Sequence, residues 1–265
     1  MSYTKTFKKL KKKKEKALVP FVVIGDPDYA TSLKIVETII EADANILELG
    51  FPFSDPIADG PTIQGADVRS LKKGINTDKC FRFIKKIREF SEIPIGLLVY
   101  YNLIYQRGIN KFFYDCKIAG VTSVLAADVP AEEANEIIVA ARKNKIDTVF
   151  IVSPLTDNNR LKLILKKCRG FIYIVSRLGV TGAREDLQKG TLKLLKRIRP
   201  KTKLPLCVGF GISKPEHVKA VCKAGADGVI VGSAIIRIIE KNLNNKKRIL
   251  YKIKAYVKEM KEATK

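Results

Sequence analysis

The sequence predicts an α/β protein, a single-domain (β/α)8 TIM barrel over residues 1–265 with an extra helix at its N-terminus. Three observations carry this expectation. Strand-like and helix-like segments alternate to the end of the chain, the pattern of α/β architecture. Eight such units in 265 residues match the ~250 residues typical of this barrel. The runs Val149-Phe-Ile-Val152 and Ile172-Tyr-Ile-Val175 are continuously apolar, as parallel strands covered on both faces should be. An open doubly wound sheet would place a GxGxxG turn after its first strand, and none follows there. No linker, low-complexity tract or composition break marks a second domain.

A basic amphipathic segment, 4–16, leads the chain. The first predicted strand is 18–24 and its helix 31–42. The second strand, 46–50, runs into an acidic loop and helical stretches through Phe90. Pro94 introduces the third strand, 95–100, whose helix lies around 110–118. The fourth strand, 123–126, leads through Asp128-Val-Pro130 into a helix over 132–143. The fifth strand, 148–152, precedes a helix over 157–167. The sixth, 171–175, precedes a long loop, 177–190, and a helix to Ile198. The seventh, 206–208, precedes a helix over 214–223, which Pro215 helps to start. The eighth, 228–231, runs into Gly232-Ser-Ala and the final helices.

Composition removes several classes of function. No apolar run reaches the ~18 residues of a spanning helix, and the first residues lack the apolar core of a secretory signal. The five cysteines are scattered without metal-ligand spacing and read as reduced thiols of a cytoplasmic protein. A single histidine, His217, predicted on a helix surface, leaves no His-based triad or multi-His metal site. Acid–base work therefore falls to carboxylates. The net charge of +23 raises nucleic acid as a partner. Yet the lysines are spread through nearly every helix, and the dense run at 8–14 carries no interleaved aromatic platform for bases. The excess reads as a lysine-rich surface, with neither membrane nor nucleic-acid partner expected.

The segment Glu48-Leu-Gly-Phe-Pro-Phe-Ser-Asp-Pro-Ile-Ala-Asp-Gly-Pro-Thr-Ile-Gln64 holds the two candidate catalytic acids, Glu48 and Asp59. Strand alternation puts Ile46 and Glu48 on one face and Leu47 and Leu49 on the other. An inward carboxylate at the C-terminal end of a barrel strand is placed for chemistry, since burying it without a basic partner is costly. Asp59 follows on a Pro/Gly-stiffened loop able to aim it over the same pocket. For an isolated pair of acids, a strand-edge residue and a helix cap would be the plainer reading. Phosphate binding is expected from the loops after the last two strands, at Gly211 and at Gly232 with Ser233. Glycines there let backbone N–H groups approach an anion, and a helix N-terminus adds free donors.

With Arg177-Leu-Gly-Val-Thr-Gly182, Gly209-Phe-Gly-Ile-Ser213 and Gly228-Val-Ile-Val-Gly-Ser233, the 48–64 segment resembles the tryptophan synthase α subunit family. The resemblance begins at Val19-Pro-Phe-Val-Val-Ile-Gly-Asp26, keeps the family's motif order and reaches the C-terminal helix. It implies retro-aldol cleavage of indole-3-glycerol phosphate to indole and glyceraldehyde 3-phosphate, with Glu48 and Asp59 catalytic. It implies no metal and no cofactor in this subunit, and pyridoxal phosphate (PLP) in a β-subunit partner of an α2β2 heterotetramer that receives the indole. The loop with Phe53, Ser54, Asp55 and Pro56 would contribute to that interface. Phe21, Leu98, Tyr100, Leu125, Ala127, Tyr173 and Phe210 would surround the indole, although each also suits ordinary barrel core. Thr181 would hydrogen-bond Asp59, and Gly182 would add a phosphate contact. From spacing alone, 177–190 reads equally as a lid or a plain loop. Asp128 is expected to order its loop rather than react. A free-standing lyase and a non-catalytic activating subunit are the competing readings; the intact acids speak against the second.

Overall fold

The computed structural model describes residues 2–175, 184–209 and 211–265, with the backbone alone over 184–189. Among these residues nine parallel strand segments are present: β1 Ala17–Val23, β2 Leu47–Gly50, β3 Ile95–Val99, β4 Ser123–Ala126, β5 Asp147–Thr148, β6 Phe150–Val152, β7 Ile172–Val175, β8 Leu206–Gly209 and β9 Gly228–Val231. Their order is β5-β4-β3-β2-β1-β9-β8-β7-β6. β5 and β6 are two halves of the predicted fifth strand, broken at Val149. The first half pairs with β4 and the second with β7. The broken strand thereby closes the eight-stranded barrel.

Among the described residues twelve α-helices accompany the strands. They are α1 Tyr3–Lys12, α2 Tyr29–Glu41, α3 Pro61–Lys72, α4 Thr77–Arg88, α5 Tyr101–Arg107, α6 Ile109–Ala119, α7 Asn135–Lys143, α8 Asn158–Lys167, α9 Arg184–Ile198, α10 Pro215–Lys223, α11 Ser233–Glu240 and α12 Lys246–Glu262. Two helix starts depart from expectation by three residues or more. α9 begins at Arg184, so the second half of the predicted loop is helix and Gly190 lies inside it. α7 begins three residues later than predicted, after a turn in which Glu133 N–H bonds Pro130 O.

Strand alternation sorts the core into two layers. Leu18, Val22, Leu47, Leu49, Leu97 and Val208 face outward into the layer between sheet and helices. Val19, Phe21, Ile46, Leu125, Tyr173 and Ile230 fill the barrel interior. The predicted extra helix, α1, closes one end of that interior. Its Tyr3 is buried, stands edge-on to Phe171 at 5.3 Å and shares a 2.7 Å hydrogen bond with the Ser123 hydroxyl. Glycine makes room for it: a Cβ at Gly96 would stand 2.7 Å from the Tyr3 hydroxyl oxygen.

Candidate active site

Glu48 sits on β2 in register with Phe21 of β1 and Gly96 of β3. Alternation turns Leu47 and Leu49 toward the helices and sends the Glu48 side chain into the interior, where it is 3% exposed. Its Oε2 has no hydrogen-bond partner. Burial, and secondarily the negative charge of Asp59, pushes its carboxyl up to about 8. No cation contributes to that shift. Such a group holds its proton at neutral pH in the unliganded protein.

Asp59 lies on the loop between β2 and α3. Backbone bonds from Ile57 N to Asp55 O and from Asp59 N to Pro56 O wind this loop into a tight turn. The Tyr100 hydroxyl donates to Asp59 Oδ2 at 2.7 Å and accepts the Ala58 N–H at 3.1 Å. Phe53, from the same loop, stacks on the Tyr100 ring with centroids 5.0 Å apart. Burial raises the Asp59 pKa, and the Tyr100 hydrogen bond opposes that rise.

A third acid belongs to this cluster and was missed from the sequence. Asp67 on α3 is buried, with Oδ2 unpartnered. Burial first, then the charge of Asp59, pushes it up to about 8, against hydrogen bonding from the Phe53 backbone. The available signal was an acid at 67 within the stripe Ile63, Ala66 and Ser70, the face a helix turns inward.

Of the residues expected around the indole, Phe21, Leu125 and Tyr173 lie in the interior cluster, and Leu98 and Ala127 pack against it. Tyr100 stands at the entrance to α5. Tyr173 is pushed well above its ordinary pKa by burial and then by the charges of Glu48 and Asp59. A side chain at Gly209 would collide with the Tyr173 hydroxyl. Thr181, Gly182 and Phe210, with the loop around the first two, lie outside the described residues.

At the expected phosphate end, Gly211 follows β8 with φ +77°, a conformation that favours glycine. Gly232 caps α11, and its carbonyl accepts the N–H groups of Ile235 and Ile236 at 2.8 and 3.1 Å. The amides of Ser233 and Ala234 precede those bonds, as the free donors of a helix start do. A Cβ at Gly232 would stand 2.9 Å from Phe21 Cδ1, so the glycine brings backbone and ring together. Asp128 accepts the Tyr101 N–H at 2.8 Å and so orders its loop. His217 accepts the Ser213 N–H at 3.3 Å. A cleft of about 410 Å³ opens beside the interior, lined by Ala127, Asp128, Phe150, Ser153 and Arg160, but neither Glu48 nor Asp59 reaches it. Among the described residues no group of three or more His, Cys, Asp or Glu could hold a metal ion.

Known proteins resemble this chain along its whole length. The sequence profile of the family described as "Tryptophan synthase alpha chain" matches residues 7–265. The tryptophan synthase alpha chain of Methanothermobacter thermautotrophicus is 55% identical over 237 residues, covering 89% of this chain and 88% of that protein. Its counterpart from Escherichia coli O157:H7 is 46% identical over 263 residues, covering 99% and 98%. Among solved structures, tryptophan synthase subunit alpha from Legionella pneumophila superposes with a TM-score of 0.91 at 33% identity, covering 100% of this chain and 98% of that one. A chain of the tryptophan synthase a2b2 complex from Pyrococcus furiosus does so with a TM-score of 0.87 at 40% identity, covering 93% and 98%.

Proposed function

The chain belongs to the tryptophan synthase alpha chain family, and we propose that within it Glu48 is the general acid and base and Asp59 the carboxylate that meets the indole N–H. The family's reaction makes the chain a carbon–carbon lyase of tryptophan biosynthesis. It cleaves indole-3-glycerol phosphate to indole and glyceraldehyde 3-phosphate, and its partner is a tryptophan synthase β subunit in an α2β2 assembly.

The cleavage needs a proton at indole C3, loss of the proton on the side-chain hydroxyl, and stabilisation of positive charge on the indole nitrogen. The observation that carries the assignment is Glu48 itself: a buried carboxyl with a free oxygen, pushed up to about 8 with no cation beside it. Held as the acid, it delivers its proton to C3 and forms the indoleninium. The resulting carboxylate removes the hydroxyl proton, the carbon–carbon bond breaks, and its electron pair returns to the ring as the aldehyde forms. Asp59, oriented by Tyr100, accepts from the indole N–H while that nitrogen is cationic. Asp67 supports the loop that carries Asp59 without touching substrate.

Phe21, Leu98, Leu125, Ala127, Tyr173 and Phe210 line the indole side in this reading, with Tyr100 shared between the ring and Asp59. Gly182, Gly211, Gly232 and Ser233 hold the phosphate, and Thr181 adds a second contact to Asp59. No cofactor takes part in this chain's own chemistry; PLP belongs to the β partner. The setting is the cytoplasm. Among the described residues no helix is long and apolar enough to cross a membrane. The test is indole release from indole-3-glycerol phosphate by the purified chain, with and without a β subunit. Weak release enhanced by β is expected, and no release in either condition from folded protein would overturn the reading.

A further inference from the structure

The catalytic acids and the phosphate cradle hang on different strands. Glu48 and the loop of Asp59 belong to β2, Gly232 and Ser233 follow β9, and β1 lies between the two. The ladders joining these strands stop short of the site. The β1–β2 register ends at Val23 and Gly50, and the β1–β9 register at Pro20 and Val231. Beyond those points strand pairing fixes neither the Asp59 loop nor the start of α11. That falls to the helices, and α3 and α11 pack against each other and against β1.

Arg69 of α3 stands where these three elements meet. Its Nε and Nη2 donate to Oδ1 and Oδ2 of Asp26, in the loop after β1, at 2.7 and 2.9 Å. Its Nη1 lies 3.7 Å from Glu240 Oε1, at the end of α11. The Asp26 side chain is fully buried, and burial raises its pKa against the hydrogen bonds and charge of Arg69. Two parallel bonds fix the plane of the guanidinium as well as its distance, which an ammonium could not do. Next to it, Ser70 Oγ donates to Ile24 O at 2.6 Å, so adjacent side chains pin α3 to the end of β1. From the same helix two side chains reach the catalytic loop. Gln64 Nε2 donates to Asp59 O at 2.8 Å, and Asp67 is hydrogen-bonded by the Phe53 backbone. A shift of α3 therefore carries Asp59 with it. Net stability is a weak reason for a buried ion pair, since apolar side chains of like volume often serve as well; geometry is the stronger one.

We propose that Arg69 is a positioning residue for the cleavage: its fork on Asp26, extended to Glu240, holds the Asp59 carboxylate at a fixed distance from the phosphate cradle at the start of α11. This rests on the roles given above to Asp59, Gly232 and Ser233. The substrate bridges those points, so an error of about 1 Å in their separation lowers kcat by up to about a hundredfold, while each half of the site stays intact.

The test uses the chain assembled with a β subunit and indole-3-glycerol phosphate, and compares Arg69→Lys, Asp26→Asn and their double variant, with Glu48→Gln in parallel. Arg69→Lys keeps a cation beside Asp26 and loses only the fork. Each single variant should lower kcat about ten- to a hundredfold. The double variant should be no slower than the slower single one, because both break one contact. Glu240→Gln leaves the fork intact and alters a half-exposed side chain, so it should lower kcat less. Affinity for inorganic phosphate, measured by calorimetry, should stay within about twofold in all of them. Unchanged kcat in Arg69→Lys and Asp26→Asn, even with a lower melting temperature, would make the pair purely structural and overturn the proposal. A fall in phosphate affinity as large as the fall in kcat would overturn it too, by placing the damage in the cradle. Near-normal turnover in Glu48→Gln would instead count against the catalytic reading beneath it.

Discussion

Tyr100 and Asp59 are joined by a 2.7 Å hydrogen bond, while the same Tyr100 oxygen accepts the N–H of Ala58 at 3.1 Å. One side chain from the end of β3 thus fixes both a carboxylate and the backbone that presents it. Phe53 stacks on the other side of that ring, so the loop after β2 is held at three points around Tyr100. Asp59 is thus positioned from the neighbouring strand, with its orientation independent of its own exposed loop tip.

Replacing Tyr100 by phenylalanine keeps the stack and removes the hydrogen bond. That bond holds the Asp59 pKa down against burial, so its loss raises the pKa further. Under the proposed mechanism turnover requires Asp59 ionised and falls as pH drops through its pKa. The acid limb of the kcat profile should therefore move to higher pH in Tyr100→Phe, with a loss of about tenfold or less at neutral pH. A profile superimposable on that of the unmodified enzyme would separate Tyr100 from Asp59 function.

Glu48→Gln keeps shape and burial but can neither give nor take the proton. Turnover should fall by about 10²- to 10⁴-fold, the usual contribution of one positioned acid or base. Substrate affinity, measured calorimetrically, should stay within a few-fold, because the phosphate is held elsewhere. Near-normal indole release by this variant would remove Glu48 from the mechanism.

Gly232→Ala places a methyl group 2.9 Å from Phe21 Cδ1, pushing the start of α11 away from the ring. The phosphate should lose affinity more than the chemistry loses rate, so KM should rise by about tenfold or more while kcat changes less. Equal KM values in variant and parent would exclude the start of α11 from substrate binding.

Much of this site was legible before any coordinates. Alternation through Ile46, Leu47, Glu48 and Leu49 settled which way Glu48 points, because a one-residue slip would bury the wrong set. Asp67 was not legible as a partner of Asp59. Its helix shows only an acid in an inward stripe, and its contact with the Phe53 backbone is tertiary. The helix start at Arg184 was missed because Gly190 reads as loop. Glycine costs a helix only about 1 kcal/mol, and the buried Leu194, Leu195 and Ile198 anchor α9 strongly enough to absorb it.

Asp67 offers a contrast between two substitutions. Asparagine retains an acceptor for the Phe53 N–H and cannot ionise where burial disfavours charge, so Asp67→Asn should fold as well as the parent. With its carboxyl pushed up to about 8, Asp67 is uncharged on the acid limb of activity, so that limb should stay in place in Asp67→Asn. Leucine leaves the Phe53 amide without its partner at a buried position, costing about 1–3 kcal/mol. Denaturant titration of the two variants should separate them by that amount; equal stability would show that Asp67 does not hold the loop.

Glu48 also predicts how stability depends on pH. Its carboxyl rises from an ordinary 4.5 to about 8 on folding, so between those values the folded chain binds a proton that the unfolded chain has released. Stability associated with this group is fully present below pH 4.5 and is lost as pH climbs through about 8. Asp67 follows the same sign, so the two effects must be separated by comparing variants. Glutamine at position 48 cannot ionise, and Glu48→Gln should match the parent at pH 5 yet melt at a higher temperature at pH 8.5, with the gap opening between. A constant difference in melting temperature from pH 5 to 8.5 would mean that Glu48 folds with an unshifted pKa. It could not then be the proton donor at neutral pH.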